Sequence, residues 1–310
     1  MRDNCKAQHT SRSTHRTSQI LKSYGLIPRK RFSQNFLTDR NIAARIVNAL
    51  GLKGDDAVIE IGPGLGILTE GLLDSGAKVI GIEIDRDLAG GLKERFDGRN
   101  NLEIINQDAL KISYKELFCR VGCAHQKQAD KNGGQSPPYN YDKKFKVVSN
   151  LPYNISTPII FKLLEEREIF SMFLLMLQRE VAQRIVSPPD NKEYGVLSVM
   201  VQLLADVKIE FDVPPSCFHP APKVYSSVVR FNILNKPRID VEDVAFFKRV
   251  VKASFGQRRK TLLNALKSLN IETPQLVELL NIINIDSKRR GETLTLEEFA
   301  VLSRGLKKVA

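Results

Sequence analysis

The chain has 310 residues, 42% of them apolar and 26% charged, and carries a formal net charge of +12. That make-up fits a globular protein of one large domain plus a small one, and no apolar stretch approaches the ~18 residues of a membrane span. The four cysteines (Cys5, Cys119, Cys123 and Cys217) are too few for a disulfide framework in a chain this long, and the polar, basic segment 1–23 lacks the apolar core of a secretory signal. A cytoplasmic location is expected. The excess positive charge lies at the two ends. Residues 1–31 hold eight Lys/Arg against one Asp and residues 237–310 hold fourteen against nine Asp/Glu, while the stretch between holds twenty-five of each. Basic ends on a neutral body suit a polyanionic partner.

Residues 1–23 show no periodicity and are predicted to be a disordered basic tail. From Ile42 the apolar residues Ile42, Ile46, Val47 and Leu50 recur at helical spacing, and Gly51 ends that helix. Strand and helix patterns then alternate: strand 57–61, a glycine turn and a helix to Leu73, strand 78–84, helix 88–96, and strand 102–105. Strands at 145–149 and 172–177 follow, then a helix near Arg179, and finally strands at 207–213 and 225–233. This alternation predicts a doubly wound parallel sheet, with the last two strands forming an antiparallel edge hairpin. Beyond Pro237 the strand signals stop, and 246–255, 261–269, 274–283 and 296–305 read as helices of a small second domain. Residues 119–144, with Gly133-Gly134 and Pro137-Pro138, read as a surface insertion. The expected organisation is therefore a tail (1–23), an α/β domain (24–236) and a helical domain (237–310).

Four signals carry chemistry. Glu60-Ile-Gly62-Pro-Gly64-Leu-Gly66 follows the first strand and opens a helix, so the backbone can approach a ligand closely there. Ile67 stands where a dinucleotide fingerprint needs its third glycine, and no Gly-Lys-Ser/Thr follows to make a phosphate loop. Such a G-x-G-x-G turn after a strand that carries Glu is typical of S-adenosylmethionine sites. Glu83 closes the next strand, at the offset expected of an acid that holds ribose hydroxyls. Asp108 lies just past the third strand, placed either to accept from the cofactor's adenine amine or to cap a helix. The most specific signal is Asn150-Leu151-Pro152-Tyr153 at the carboxyl edge of the sheet. An exocyclic adenine amine is a weak nucleophile because its lone pair is delocalised into the ring. The Asn150 side-chain carbonyl and the Leu151 backbone carbonyl can accept hydrogen bonds from that amine and favour a tetrahedral nitrogen, Pro152 stiffens the turn, and Tyr153 can stack on the base.

Taken with Arg31-Phe-Ser-Gln-Asn35-Phe-Leu37, Phe218-His-Pro-Ala-Pro-Lys-Val224 and Phe255-Gly-Gln-Arg258-Arg259-Lys260-Thr261, these motifs resemble the rRNA adenine N6-dimethyltransferase family, and within it the branch acting on small-subunit (16S) rRNA. The resemblance covers about residues 20–305. It implies a Rossmann-like S-adenosylmethionine-dependent methyltransferase domain with a helical C-terminal rRNA-binding domain. It further implies N6,N6-dimethylation of two adjacent adenosines in a hairpin loop near the rRNA 3′ end, on a pre-formed 30S particle during ribosome biogenesis. By the same resemblance Asn35, Leu37, Gly62, Gly64, Glu83, Asp108 and Asn150 would contact the methyl donor, Asn150 to Tyr153 would hold the target adenine, and Phe218 is a second candidate stacking residue. Arg258, Arg259 and Lys260, placed at the start of a helix, are candidates for rRNA phosphate contact. No DNA or membrane partner is expected, and a monomer is the default. The 119–144 insertion and the long tail depart from the family pattern without removing a motif residue. Cys119, Cys123 and His125 lack an evident fourth ligand, so no metal site is expected. The rivals are a large-subunit enzyme of the macrolide-resistance type, a non-catalytic rRNA-binding assembly factor, and a nicotinamide dehydrogenase, the last disfavoured by the missing glycine.

Overall fold

The computed structural model describes residues 35–120, 144–257 and 259–309. The predicted tail, all but the ends of the 119–144 insertion, and Arg258 lie outside the described residues. By its contacts the chain divides into two compact units, one formed by residues up to Arg179 with Ile209–Ile233, the other by Glu180–Lys208 with Leu234–Ala310.

The first unit is built on a sheet whose strands alternate with helices. In chain order it has β1 (Phe36–Leu37), α1 (Arg40–Ala49), β2 (Ala57–Ile61), α2 (Ile67–Asp74), β3 (Lys78–Glu83), α3 (Arg86–Arg95), β4 (Leu102–Asn106), β5 (Phe145–Asn150), α4 (Ser156–Glu165) and β6 (Phe170–Gln178). After α5 (Arg179–Val186) and α6 (Val196–Leu204) come β7 (Ala205–Val213), β8 (Phe218–His219) and β9 (Ser226–Ile233). The seven-stranded sheet has the order β4-β3-β2-β5-β6-β9-β7, and β1 pairs with β8 in a separate antiparallel ladder. Strands β4, β3, β2, β5 and β6 run parallel, and β9 is antiparallel to β6. The interior strands are nearly continuous apolar runs because helices cover both faces; β6 (Phe-Ser-Met-Phe-Leu-Leu-Met-Leu-Gln) is buried along almost its whole length. The edge strand β7 instead alternates charged and apolar residues.

This strand order fixes where a ligand can bind. The chain moves outward from β2 to β4 and then returns to the other side of β2 to lay down β5. Neighbouring crossovers therefore leave β2 and β5 in opposite directions and open a crevice at their carboxyl ends. The register pairs Ile61 with Ser149, so the glycine turn after β2 and the Asn150 turn after β5 emerge side by side. The Ser149 hydroxyl donates to the Ile61 carbonyl at 2.5 Å and ties the two strand ends together.

In the second unit α7 (Val244–Phe255), α8 (Leu262–Leu266), α9 (Thr273–Ile282) and α10 (Leu296–Val309) are joined by α6, which packs on α7. The rings of Phe247, Phe255, Phe299 and Tyr194 pack in mutual contact at its centre. Drawing the boundary at residue 236 therefore differs from the contact division, which groups 180–208 with the C-terminal helices. Thr261 is the N-cap of α8, so Arg259 and Lys260 lie exposed in the turn before that helix rather than within its first turn.

Gly66 sits at φ +76°, where a Cβ would come within 2.8 Å of both Leu92 Cδ2 and Phe96 Cε2. Gly66→Ala combines left-handed strain with a clash against α3 and should lower unfolding stability by about 1–3 kcal/mol. Chemical denaturation checks this, and an unchanged midpoint would refute it.

Candidate active site

The crevice between the carboxyl ends of β2 and β5 is a cavity lined by the strand ends and turns the sequence singled out. Asn35, Leu37, Gly62, Gly64, Glu83, Asp108, Asn150, Leu151, Pro152 and Tyr153 all line it. Phe218 does not. It is 2% exposed, pairs with Leu37 across the β1–β8 ladder and belongs to the apolar core under the sheet. A sequence cannot distinguish an aromatic that anchors a ladder from one that stacks on a ligand.

Each wall has a physical cause. Gly62 is at φ +67°, and the space where a Cβ would project is open, so the backbone itself forms that wall. Gly64, at φ +57°, lies where a Cβ would be 3.1 Å from the Phe36 ring, which packs over the turn with Leu65 and Leu88. Glu83 is 4% exposed; its carboxylate accepts from the Gly64 amide at 3.1 Å and the Asp85 amide at 3.0 Å, which fixes the glycine turn to the end of β3. Burial holds its carboxyl above the usual range, and the amides of Asp85 and Gly64 oppose that rise. Asp108 accepts from the Leu110 amide at 2.9 Å through one carboxylate oxygen, so it caps its own turn while facing the cavity.

Asn150 ends β5, and its Nδ2 donates to the Asn35 backbone carbonyl at 2.8 Å. Asn35 precedes β1, which is held by the β8 ladder and by Thr38, whose amide and hydroxyl both donate to the Cys217 carbonyl. With its amide nitrogen tethered, Asn150 offers its carbonyl oxygen as the accepting end. The Leu151 amide donates to the Met176 carbonyl at 3.2 Å, and the Leu151 side chain is 1% exposed, which pins the turn from beneath. Tyr153 is half-buried, and its hydroxyl lies 2.9 Å from the Ser226 hydroxyl.

Sequence reasoning passed over Glu60 as a site residue. It is 1% exposed, lines the cavity and accepts from the Thr69 hydroxyl at 2.6 Å. Burial pushes its carboxyl up to about 7, the Thr69 hydroxyl opposes the rise, and the nearby Glu83 adds to it. An acidic residue inside an otherwise apolar strand (Ala-Val-Ile-Glu-Ile) was the available signal.

The donor set tests the cofactor. Among the described residues three carboxylates line the cavity (Glu60, Glu83 and Asp108), and no Lys, Arg or His does. The third glycine of a dinucleotide fingerprint is absent, Ile67 standing in its place, and this disfavours the nicotinamide reading. A cationic donor carrying a sulfonium, an ammonium, ribose hydroxyls and a flat adenine fits the acids, the open Gly62 backbone and the apolar side chains of Ile61, Leu65 and Leu88.

A family model, ribosomal RNA adenine dimethylase, matches residues 27–302. The chain belongs to that family. It is accordingly an S-adenosylmethionine-dependent enzyme that methylates adenine in ribosomal RNA. The ribosomal RNA small subunit methyltransferase A of Geobacter metallireducens is 42% identical over 288 residues, covering 92% of this chain and 98% of that one. The protein of the same name from Moorella thermoacetica is 43% identical over 291 residues, covering 94% and 96%. Among solved structures, a dimethyladenosine transferase from Plasmodium falciparum aligns with a TM-score of 0.69 at 27% identity, covering 88% of this chain and 98% of that one. The 23S rRNA methyltransferase ErmE aligns with a TM-score of 0.60 at 25% identity, covering 88% and 100%. Among the described residues no helix is long and apolar enough to cross a membrane, and no group of three His, Cys, Asp or Glu could hold a metal ion. Cys123 and His125 lie outside those residues.

The buried Glu60 sets a pH dependence. The fold favours its neutral form, so the stability it contributes is complete below its ordinary value of 4.5 and is lost as pH rises to about 7. Glu60→Gln keeps an acceptor for Thr69 and removes that loss. The variant should gain roughly 2 kcal/mol on the wild type between pH 5 and pH 8. Paired denaturation curves at the two pH values check this, and a difference that does not change with pH would refute it.

Proposed function

We propose that this chain N6,N6-dimethylates two adjacent adenosines in a hairpin loop near the 3′ end of small-subunit (16S) rRNA, acting on the assembled small-subunit particle. The observation that carries this reading is the Asn150 turn, whose accepting carbonyls sit beside a carboxylate-lined cofactor cavity at the switch point of the sheet. The small-subunit target is supported by relatives named for that subunit at 42–43% identity over nearly their whole length, against 25% for the 23S enzyme. A non-catalytic assembly factor would have no need of an intact donor pocket. The enzyme is proposed to act as a monomer in the cytoplasm, without DNA or membrane partners.

S-adenosylmethionine supplies a methyl group activated by its sulfonium. Glu83 and Asp108 would hold its ribose and adenine, while Glu60, Gly62 and Gly64 would hold its amino-acid end. The residues of this chain act on the other reactant. The Asn150 Oδ1 and the Leu151 carbonyl accept both hydrogens of the adenine amine, drawing the nitrogen toward tetrahedral geometry so that its lone pair leaves the ring and becomes available for bond formation. Tyr153 stacks on the flipped base and sets its plane. No side-chain base is required, because the nitrogen becomes acidic once it bears positive charge and its proton passes to water. The exposed Arg259 and Lys260, with Arg258 beside them, provide phosphate contacts that orient the particle without reading sequence.

Small subunits lacking these methylations, incubated with enzyme and labelled S-adenosylmethionine, should yield dimethyladenosine at two adjacent positions near the 3′ end. Transfer to large-subunit RNA alone would move the enzyme to the other branch, and transfer to neither would end the catalytic reading. Asn150→Ala should retain cofactor binding by calorimetry while lowering methyl transfer by about 10²–10³-fold; wild-type turnover would refute its role. Neutralising Arg258, Arg259 and Lys260 together should weaken particle binding and flatten its dependence on salt, and an unaltered salt slope would return the run to an ordinary solvated surface.

A further inference from the structure

The Asn150 turn is tied to a strand outside the cavity by an interaction that the reaction as described leaves unused. Tyr153 stands in the turn after β5, and Ser226 is the first residue of β9. Strand β6 lies between them in the sheet, with Gln178 paired to Ser226 and Met176 to Asn150. The 2.9 Å contact between the two hydroxyls therefore spans β6 and joins the Asn150 turn to the start of β9. Ser226 is fully buried, whereas Tyr153 is only half-buried, so the anchored end of the pair is the serine. Its neighbour Ser227 projects to the opposite face, as strand alternation requires, and donates to Asp212 at 2.6 Å. The Arg179 amide donates to the Tyr225 carbonyl at 3.0 Å and holds the backbone immediately before Ser226.

We propose that Ser226 is a positioning residue for the target adenine, acting through the Tyr153 hydroxyl; this rests on the functional reading above, in which Tyr153 stacks on the base. A tyrosine ring has two side-chain torsions. Its hydroxyl lies on the axis of the second, so a bond to that hydroxyl fixes where the ring axis points and leaves ring rotation to packing. A ring held at both ends presents its face at a constant distance from the Asn150 carbonyl. A ring held only at Cα samples other first-torsion wells, and the amine leaves line with the methyl donor. The same bond accounts for a serine, the smallest hydroxyl side chain, at a fully buried position at the start of β9. Burial raises the Tyr153 hydroxyl above its ordinary range, so it remains protonated and able to take part in this bond.

The test is a double-mutant cycle with Ser226→Ala, Tyr153→Phe and the pair together, read as kcat/KM on small subunits lacking the methylations and as S-adenosylmethionine Kd by calorimetry. Both single variants should lower kcat/KM by a similar factor, about three- to tenfold, with cofactor Kd unchanged, and the double variant should be no worse than either single one. Multiplying losses in the double variant, wild-type transfer by Ser226→Ala, or a cofactor affinity that falls in step with transfer would each overturn the inference. A wild-type enzyme that transfers no methyl at all would bring down the functional reading, and the positioning role with it.

Discussion

The hydrogen bond from the Asn150 side-chain amide to the Asn35 backbone carbonyl is the constraint on which the chemistry depends. An asparagine amide has a donating end and an accepting end of nearly the same shape, and only the accepting end can draw on an amine. The tether decides between them. It requires the strap at Asn35 to be in place, and that strap is secured by the β1–β8 ladder and by Thr38 bonded to the Cys217 carbonyl. Residues more than 180 positions apart in the chain thus cooperate to orient one side chain. The core position of Phe218 belongs to the same device, since its ring is buried under the ladder that holds the strap.

Topology and electrostatics then divide the crevice into two halves. The turn after β2 brings bare backbone to one side, joined by the carboxylates of Glu60, Glu83 and Asp108 from β2, the end of β3 and beyond β4, and the turn after β5 brings carbonyl acceptors and an aromatic ring to the other. An acid-lined half favours a positively charged donor. An acceptor-lined half selects a base with an exocyclic amine. The burial of Glu60 and Glu83 disfavours their ionised forms, and a cationic ligand beside them would offset that cost.

The sheet was legible from sequence to within a few residues because its strands are short apolar runs punctuated by glycine and acidic ends. β2 matched its predicted span, and β3 and β5 came within a residue of theirs. What escaped has definite physical causes. The two-residue strands β1 and β8 are too short to show a period. Helix α6 (Val-Leu-Ser-Val-Met-Val-Gln-Leu-Leu) is apolar but for Ser198 and Gln202 and is hard to tell from a buried strand by pattern alone. Helix α4 carries Pro158 and β-branched residues near its start, and tertiary packing of Ile159, Ile160, Leu163 and Leu164 overrides that weak propensity. At the site, the residue types and order of the motifs pointed to the cavity-lining residues. Glu60 was hidden by its place within a strand, and the roles of Asn35 and Ser226 depend on contacts made across the fold.

The central claim concerns which atoms meet the adenine amine. A crystal structure with S-adenosylhomocysteine and an RNA hairpin carrying the target adenosine measures it directly. The account predicts the adenine N6 at about 2.7–3.2 Å from both the Asn150 Oδ1 and the Leu151 carbonyl oxygen, with the base against the Tyr153 ring and the Asn150 Nδ2 still bonded to Asn35. An adenine held with its amine away from those two oxygens, or an Asn150 turned so that Nδ2 faces the base, would contradict it.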